Sequence, residues 1–234
     1  IVSVGGGGLS SSARRLLLER APETEIFYVE PAGGKSLAAA VEAGEPTTIS
    51  NVDTFVDGAA VARIGVHTFA ALKGIDSDHV LAIPEDRICT TILEMLNVEG
   101  VVLEPAGALA LDALKDLKDE IKSKTVVCVS SGGNFDFERL PEVKERAQRF
   151  AGVKKYFILR MPQRPGALKD FLGLLGPDDD ISRFEYLKKS ARNFGTVLLG
   201  VETSSPENFV SLLERLENAG MSIRDITGDE AMVD

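Results

Sequence analysis

The chain has 234 residues, enough for one large or two small domains, and its 44% hydrophobic and 26% charged content is ordinary for a globular protein. A formal net charge of −10 and a pI near 4.9 argue against a nucleic-acid-binding protein, which would carry a basic surface patch. No apolar run is long enough to cross a membrane, so no membrane partner is expected. The two isolated cysteines, Cys89 and Cys128, are too few for a disulfide framework, and they favour a reducing, cytoplasmic location.

A glycine loop, formed by Gly5, Gly6, Gly7 and Gly8, separates four apolar-rich residues from a helical pattern that begins near Ser10. Glycines let the backbone turn sharply and bring its N–H groups close to a ligand, and a helix that begins there adds the positive end of its dipole. A dinucleotide site requires glycines at the first, third and sixth positions, but the sixth residue counted from Gly5 is Ser10. The loop therefore predicts a site for a compact phosphate group. The alternative is a purely structural turn, for which one or two glycines would suffice.

Hydrophobic periodicity and turn residues predict alternating strands and helices over the first 150 residues. Strands are predicted at residues 25–29, 79–83 and 125–130, and helices at residues 10–20, 36–43, 85–96 and 105–122, with helical patterning also from Ala59 onward. The run at residues 125–130 is apolar without a break, which predicts a strand buried on both faces. Strands that alternate with helices indicate an α/β fold: an open, mostly parallel sheet with helices on both faces.

A second glycine-containing loop, residues 131–134 with Ser131 at its start, follows the last of these predicted strands. In open parallel sheets, ligands bind beyond the carboxyl ends of the strands. Both this loop and the glycine loop come directly after a strand. We therefore expect the two loops to meet at one cofactor site.

The pattern changes from Lys154 onward, which places a domain boundary near residues 145–152 and predicts domains at residues 1–150 and 151–234. Strands are predicted at residues 154–161, 181–188, 196–202 and 222–226, with helices that begin at Ala167 and Pro206. The order βαββαβ is that of the ferredoxin-like fold. In the first of these helices the spacing i, i+3, i+4 and i+7 predicts a buried face of Leu168, Phe171, Leu172 and Leu175.

Five motifs carry a resemblance to a known family: residues 4–9, 57–61, 63–65, 104–108 and 131–134. In this combination and order they look like the large domain of biosynthetic threonine dehydratase (threonine deaminase), a fold-type II pyridoxal-phosphate enzyme. The second domain resembles that family's C-terminal regulatory module, an ACT-like domain. Residues 176–181 and 184–188 are similar to bacterial members that have one such module. The resemblance covers essentially the whole chain.

The resemblance implies that the glycine loop and the Leu9 N–H hold the phosphate of pyridoxal 5′-phosphate, and that Ser131 hydrogen-bonds the pyridine nitrogen. Glu104 would lie near the cofactor. The alternative is that this acidic residue only stabilises the N-terminus of the helix that follows it. The implied reaction converts L-threonine to 2-oxobutanoate and ammonia in isoleucine biosynthesis, with a serine dehydratase as a weaker alternative. The implied effector is isoleucine, or valine, and the implied assembly is a homo-oligomer, either a dimer or a tetramer.

In the second domain, Gly166, Ala167 and Leu168 form a loop-to-helix turn. The resemblance implies that the carboxylate of an amino-acid effector meets the helix N–H groups there. Glu185 and Tyr186 are weaker candidates for the same pocket. The alternative interpretation of these residues is a plain turn.

The sequence departs from the family in one respect that bears on catalysis. The family's Schiff-base lysine, and the asparagine-glycine loop that holds the substrate carboxylate, lie upstream of the glycine loop and are not among these residues. Nothing around Lys35 matches the lysine motif, so no catalytic residue is assigned. We therefore expect this polypeptide alone to be inactive, and the alternative function is a non-catalytic, amino-acid-binding regulatory fragment. His67 and His79 are interpreted as packed or surface residues, and the acidic run at residues 178–180 as a solvated turn, with no metal site predicted.

Overall fold

The computed structural model describes residues 1–187, 193–229 and 232. The chain divides into two compact units, Ile1–Ala147 and Gln148–Asp234. Each unit has its own hydrophobic core.

The first unit contains a parallel three-stranded sheet of β1 (Val2–Ser3), β2 (Tyr28–Pro31) and β3 (Val80–Ile83), in the order β1-β2-β3. Its helices are α1 (Gly8–Arg20), α2 (Ser36–Ala43), α3 (Val66–Leu72), α4 (Glu85–Glu94), α5 (Pro105–Asp112) and α6 (Leu140–Phe150), the last of which continues into the second unit. All four residues of β2 are buried, as expected for a central strand of a parallel sheet. The predicted α/β architecture is confirmed.

Both faces of this sheet are covered, because neighbouring residues of β2 enter different core clusters. Val29 packs with Ile83, Ile88 and Leu109, whereas Tyr28 packs with Leu37 and other residues on the opposite side. Successive side chains of a strand point to opposite faces. Helices therefore lie on both faces of the sheet, as the alternation of strands and helices predicted.

The prediction of a strand buried on both faces at residues 125–130 is wrong. Within this described segment only Val129 forms a β-bridge, with Val2, and Val127 is 70% exposed. The segment lies along the outer edge of β1, where the Ile1 amino group donates to the Val127 carbonyl at 2.8 Å and the Val129 N–H donates to the Ile1 carbonyl at 3.0 Å. The strand beside this segment, β1, has only two residues. The segment therefore forms no continuous β-ladder, and its apolar residues are not fully buried.

Two helices of the first unit are shorter than the sequence predicted. Residues 59–65 are not helical. A single turn closes when the N–H groups of Ala59 and Ala60 bond the Val56 carbonyl, but it does not continue, since the Val61 N–H bonds the Ala59 carbonyl only two residues back, and α3 begins after the extended Gly65. The helix predicted at residues 105–122 stops at Asp112 and is followed by a single 3₁₀ turn, Ala113–Lys115.

The second unit has the order β4 (Lys154–Pro162), α7 (Ala167–Leu172), β5 (Asp180–Leu187), β6 (Phe194–Glu202), α8 (Glu207–Asn218) and β7 (Ser222–Asp225). The sheet is antiparallel with the strand order β5-β6-β4-β7, so the predicted ferredoxin-like βαββαβ fold is confirmed. The predicted end of the second strand at Lys188 lies outside the described residues. One face of the sheet and both helices enclose a core that includes Phe157, Leu159, Phe171 and Phe209.

The buried face of α7 differs from the one predicted. Phe171 is fully buried together with Ala167, but Leu168 and Leu172 are 45% and 46% exposed. The helix has only six residues, so a single i, i+4 pair faces the sheet and the two leucines border an open cavity. The acidic turn that follows is not fully solvated either, since the Asp179 carboxylate accepts hydrogen bonds from the Gly176 N–H at 2.6 Å and the Thr203 hydroxyl at 3.1 Å.

Candidate functional site

The two loops that the sequence singled out meet around one cavity in the first unit. The cavity has a volume of about 180 Å³. Its lining residues come from the end of β1, the glycine loop, the start of α1, a turn at Gly58 and the region before α5: Ser3, Gly5, Gly6, Gly7, Gly8, Leu9, Ser10, Gly58, Ala59, Glu104, Ala106 and Ser131. All six residues predicted to bind the cofactor are in this set.

The start of α1 supplies the polar wall of this cavity. Gly7 is its N-cap in the left-handed conformation, with φ of 86°, and no side chain caps the helix. The N–H groups of Gly8, Leu9 and Ser10 belong to the first turn, which has no acceptor within a helix, whereas the Ser11 N–H already bonds the Gly7 carbonyl at 3.0 Å. No acidic residue occupies the first turn. An anion in the cavity therefore meets unpaired N–H groups at the positive end of a 13-residue helix.

The carbonyl groups of the glycine loop are held by donors from its own helix and from α3. The Thr68 hydroxyl contacts the Gly6 carbonyl at 2.7 Å, and the Gly65 N–H donates to the same oxygen at 3.3 Å. The Ser10 hydroxyl donates to the Gly7 carbonyl at 3.3 Å. With its oxygens engaged in this way, the loop is fixed and its N–H groups are left for a ligand.

The shape of the loop fits a compact phosphate. A Cβ atom added at Gly6 or Gly8 would meet no atom within 4 Å, so these positions border open space. At Gly5, by contrast, an added Cβ would lie 3.0 Å from the Ala59 Cα, so this glycine permits close packing of the loop against the wall. The residues present therefore fit a phosphate-bearing cofactor.

Ser131 and its neighbours form another part of the cavity lining. The Ser3 and Ser131 hydroxyl oxygens lie 3.4 Å apart. Glu104 also lines the cavity; its side chain lies against Gly132, and its N–H donates to the Gly132 carbonyl at 3.2 Å. The sequence analysis did not identify Ser3 as a site residue. The available signal was its hydroxyl group, which stands between the apolar residues Val2 and Val4 just before the glycine loop.

The second unit contains a larger, mostly apolar cavity of about 480 Å³ between α7, the end of β4 and β5. Gly166, Ala167, Leu168 and Tyr186, four of the residues predicted to bind an effector, line it. Glu185 does not line it.

Strand alternation explains the different position of Glu185. Phe184 and Tyr186 face the cavity, so the residue between them points to the other side of β5. There the Glu185 carboxylate accepts a hydrogen bond from Arg183 Nε at 2.7 Å. The cavity has a polar rim at Arg164, whose guanidinium pairs with Asp170 at 2.6 Å.

Two family models match the chain. Residues 1–132 match the model of the pyridoxal-phosphate dependent enzymes, and residues 145–234 match the C-terminal regulatory domain of threonine dehydratase. Because the first match alone covers more than half of its residues, the chain belongs to the family of pyridoxal-phosphate-dependent enzymes. The cofactor predicted from the resemblance is confirmed at the level of this family.

Curated relatives narrow the class. The chain is 45% identical to the biosynthetic L-threonine dehydratase IlvA of Halalkalibacterium halodurans, over 98% of this chain and 55% of the relative. It is 46% identical to the protein of the same name from Bacillus subtilis, over 97% of this chain and 54% of that relative. The predicted resemblance to biosynthetic threonine dehydratase is thus confirmed. The chain spans about half the length of the curated relatives it matches.

Solved structures agree on the fold. The processed form of threonine deaminase isoform 2 from Solanum lycopersicum aligns with a TM-score of 0.58 and 36% identity, over 62% of this chain and 43% of that one. A threonine deaminase from T.th. aligns with a TM-score of 0.53 and 28% identity, over 58% of this chain and 49% of that one. Within the described residues, none of the helices combines the length and the apolar character needed to cross a membrane.

Proposed function

We propose that this chain is the distal part of a pyridoxal-phosphate-dependent threonine dehydratase that converts L-threonine to 2-oxobutanoate and ammonia. The observation that carries the proposal is the cavity where the glycine loop and Ser131 meet. The curated relatives that share this region at about 45% identity are named for the same activity. In this proposal residues 1–150 are part of the catalytic domain and residues 151–234 are the regulatory domain.

Different residues of the cavity bind different parts of the cofactor in this proposal. The N–H groups of Gly8 and Leu9, and the open space beside Gly6, receive the phosphate at the helix N-terminus. The Ser131 hydroxyl, which Ser3 neighbours at 3.4 Å, hydrogen-bonds the ring nitrogen. Bound pyridoxal phosphate supplies an electron sink for the amino acid's α-carbon, and the protein orients it and tunes its electronics. A hydroxyl rather than a carboxylate at the ring nitrogen leaves the ring less charged, which suffices for loss of a β-hydroxyl.

The cavity of the second unit is proposed to bind isoleucine, with valine as the alternative effector. Its apolar lining suits a branched aliphatic side chain, and Gly166, Ala167 and Leu168 line it where α7 begins. Tyr186 borders the same space, whereas Glu185 is left out of this role because its carboxylate lies on the other face of β5. The effector would act through an oligomer of two or four chains in the cytoplasm, where Cys89 and Cys128 remain thiols.

We also propose that these 234 residues alone do not turn over threonine. The resemblance assigns none of their lysines to the cofactor, and Lys35 lies in a sequence unlike the family's lysine motif. Catalysis would require the cofactor-linking lysine from outside this sequence.

The experiment that tests the proposal begins with the polypeptide that the source organism makes from this coding region. Its intact mass and N-terminal sequence are determined, and its release of keto acid from L-threonine and from L-serine is measured with and without isoleucine. We expect release of 2-oxobutanoate that isoleucine changes, and a lower rate in Ser131→Ala. The control variant is Ser182→Ala, which removes a hydroxyl group of the second unit that is not part of the cavity lining.

Other outcomes decide between the alternatives. Isoleucine binding without keto-acid release, and without a bound cofactor chromophore, would establish a regulatory fragment and overturn the enzymatic proposal. A clear preference for L-serine would replace threonine as the substrate. An unchanged rate in Ser131→Ala would remove this serine from the cofactor site.

A further inference from the structure

Ser3 is a hydroxyl residue inside the buried strand β1. It is 8% exposed, and the residues on either side of it, Val2 and Val4, are also buried. Successive side chains of a strand point to opposite faces, so Ser3 faces away from the core cluster that contains the two valines and lines the cofactor cavity instead. A hydroxyl group shielded from water costs free energy unless it has a hydrogen-bond partner. Ser3 therefore needs a partner at the cavity.

The partner of this hydroxyl is Ser131. Among the residues that the structure describes, Ser131 Oγ is the one hydrogen-bond partner of Ser3 Oγ, at a distance of 3.4 Å. The surroundings of the two residues differ, since Ser131 is exposed and lies on a loop without regular structure. One hydroxyl group is thus held on a buried strand, and the other is presented to the cavity from an open loop.

The backbone on both sides of Ser131 is already fixed. The Ser130 hydroxyl donates to a carbonyl of α5 at 3.0 Å, and the Gly132 carbonyl accepts from the Glu104 N–H at 3.2 Å. These bonds place the Ser131 backbone, but its side chain can still choose among staggered orientations. The contact with Ser3 selects among them. A binding site needs such support, because a polar group that is loosely oriented holds its ligand less well.

The chemistry of a pyridine nitrogen sets the direction of the hydrogen bonds. A ring nitrogen without a proton can only accept, so Ser131 must donate its hydroxyl proton to it. The Ser131 oxygen can then accept a bond from the Ser3 hydroxyl. Each bond in such a chain polarises the next, so donation from Ser3 makes Ser131 a better donor. The separation of 3.4 Å is long for an O–H···O bond, which makes orientation the main effect of Ser3.

We propose that Ser3 is a positioning residue, whose hydroxyl donates to the Ser131 oxygen and so directs the Ser131 proton toward the ring nitrogen of the cofactor. The inference rests on the proposed function, which supplies the cofactor. Because Ser3 acts through Ser131, its contribution to affinity depends on a nitrogen atom in the ring and not on the phosphate group. This dependence distinguishes a positioning role from a merely structural one.

The test compares two ligands that differ only at the ring nitrogen. Pyridoxal 5′-phosphate and its 1-deaza analogue, in which a C–H group replaces that nitrogen, are titrated by calorimetry into the cofactor-free form of the polypeptide that the source organism makes from this coding region. The ratio of the two dissociation constants measures the preference for the nitrogen. We expect a preference of about fivefold in the unmodified protein, the value of one ordinary hydrogen bond. The preference should disappear in Ser131→Ala and fall to about twofold or less in Ser3→Ala.

Three further variants separate positioning from general effects. Ser3→Thr keeps the hydroxyl group and is expected to keep the preference. Ser10→Ala removes a buried hydroxyl that lines the same cavity but bonds the Gly7 carbonyl, so it should weaken the binding of both ligands by the same factor. Ser3→Cys replaces the hydroxyl with a weaker donor of similar shape. It should lower the preference as Ser3→Ala does, and it carries the test if Ser3→Ala does not fold.

An undiminished preference in Ser3→Ala or Ser3→Cys, where Ser131→Ala has lost it, would overturn the inference and leave the proposed function intact. A loss in Ser3→Thr or Ser10→Ala as large as that in Ser3→Ala would also overturn it, since the Ser3 hydroxyl would then not be the cause. Equal affinity of the unmodified protein for the two ligands, or no binding of either, would contradict the proposed function, which places the ring nitrogen at Ser131, and the inference would fail with it.

Discussion

Gly7 has both reasons for which a glycine is required: its backbone conformation and its close surroundings. Its φ of 86° lies in the left-handed region, and an added Cβ would be 2.8 Å from the Thr68 hydroxyl oxygen. Gly74 shares the conformation, with φ of 81°, but has open surroundings. We expect Gly7→Ala to lower the free energy of unfolding by more than the about 1–2 kcal/mol that the conformation alone costs in Gly74→Ala. Urea denaturation compares the two, and equal losses would show that the contact with Thr68 is relieved at no cost.

At Gly8, unlike at Gly7, we expect an alanine substitution to leave the stability of the fold nearly unchanged. No atom lies within 4 Å of a Cβ added there, and alanine suits a helix better than glycine does. We expect Gly8→Ala to keep the free energy of unfolding within about 0.5 kcal/mol of its original value. The methyl group would nevertheless take space from the phosphate, so cofactor affinity should fall. Fluorescence titration measures this, with Gly133→Ala as a control outside the cavity, and unchanged affinity would place the phosphate elsewhere.

Glu30 is a fully buried carboxyl group that caps the start of α2. It accepts hydrogen bonds from the N–H groups of Leu37 at 2.6 Å and Ala38 at 2.9 Å. Burial nevertheless outweighs these bonds and raises its pKa from 4.5 to about 7. The folded chain therefore holds a proton here that the unfolded chain has lost between these two pH values. The resulting stabilisation is present below pH 4.5 and disappears as the pH rises through about 7.

We accordingly expect the free energy of unfolding of the first unit to fall as the pH is raised from about 5 to about 8. The loss attributable to Glu30 has an upper bound of about 3 kcal/mol, from a pKa difference of about 2.5. Glu30→Gln cannot ionise and should remove this part of the pH dependence. Urea denaturation at several pH values measures it, with Glu45→Gln at an exposed position as the control. Identical pH dependence in Glu30→Gln and the unmodified chain would assign the effect to other groups.

At the scale of the element, α4 and α5 are joined by one buried carboxylate. Asp112 accepts hydrogen bonds from Arg87 at 2.7 Å, Thr91 at 2.6 Å and Lys115 at 2.9 Å. Removing it leaves two cations beside a core helix without their shared partner. We expect Asp112→Ala to cost about 3 kcal/mol, the lower end for breaking a buried ion pair. Asp116→Ala, which removes a half-exposed partner of Arg87, should cost about 1 kcal/mol or less in the same denaturation experiment. Equal costs would show that the buried network does not hold the two helices together.

Helix and strand positions were predictable where the signal is local. The bounds of α2 follow from Ser36 and from Gly44, which ends the helix in the left-handed conformation, and α8 follows from the periodic burial of Phe209, Leu212 and Leu216. The apolar run at residues 125–130 led to a wrong prediction of a buried strand, because hydrophobicity does not report how many strands lie beside a segment. The buried face of α7 was predicted wrongly for a related reason, since periodicity does not determine how long a helix is.

In the candidate sites, too, some residues were predictable from the sequence and others were not. The sequence predicted that the glycine loop and Ser131 meet, because the carboxyl ends of parallel strands share one edge of a sheet. Their role in cofactor binding stays a prediction. Ser3 and Gly58 join them only through the packing of β1 and of the turn after Phe55, which no spacing in the sequence specifies. Glu185 was placed with Tyr186 by proximity in sequence, although neighbours on a strand face opposite sides.

At the scale of the whole molecule, each unit has a core and a candidate ligand cavity of its own. A ligand that binds only the folded form of one unit stabilises that unit, by about 2.7 kcal/mol at a concentration of 100 times the dissociation constant. We therefore expect calorimetry to resolve two transitions, with pyridoxal 5′-phosphate raising one midpoint and isoleucine the other. The matched control ligands are pyridoxal, which lacks the phosphate group, and the free amino acid glycine, which lacks a side chain.

With both ligands present, the shifts should not simply add. A fivefold coupling between the sites corresponds to about 1 kcal/mol, so the midpoint of each unit should differ by a few degrees from the value expected for independent binding. A single transition that either ligand moves equally would mean that the chain unfolds as one cooperative body, and it would contradict the assignment of separate ligands to separate units.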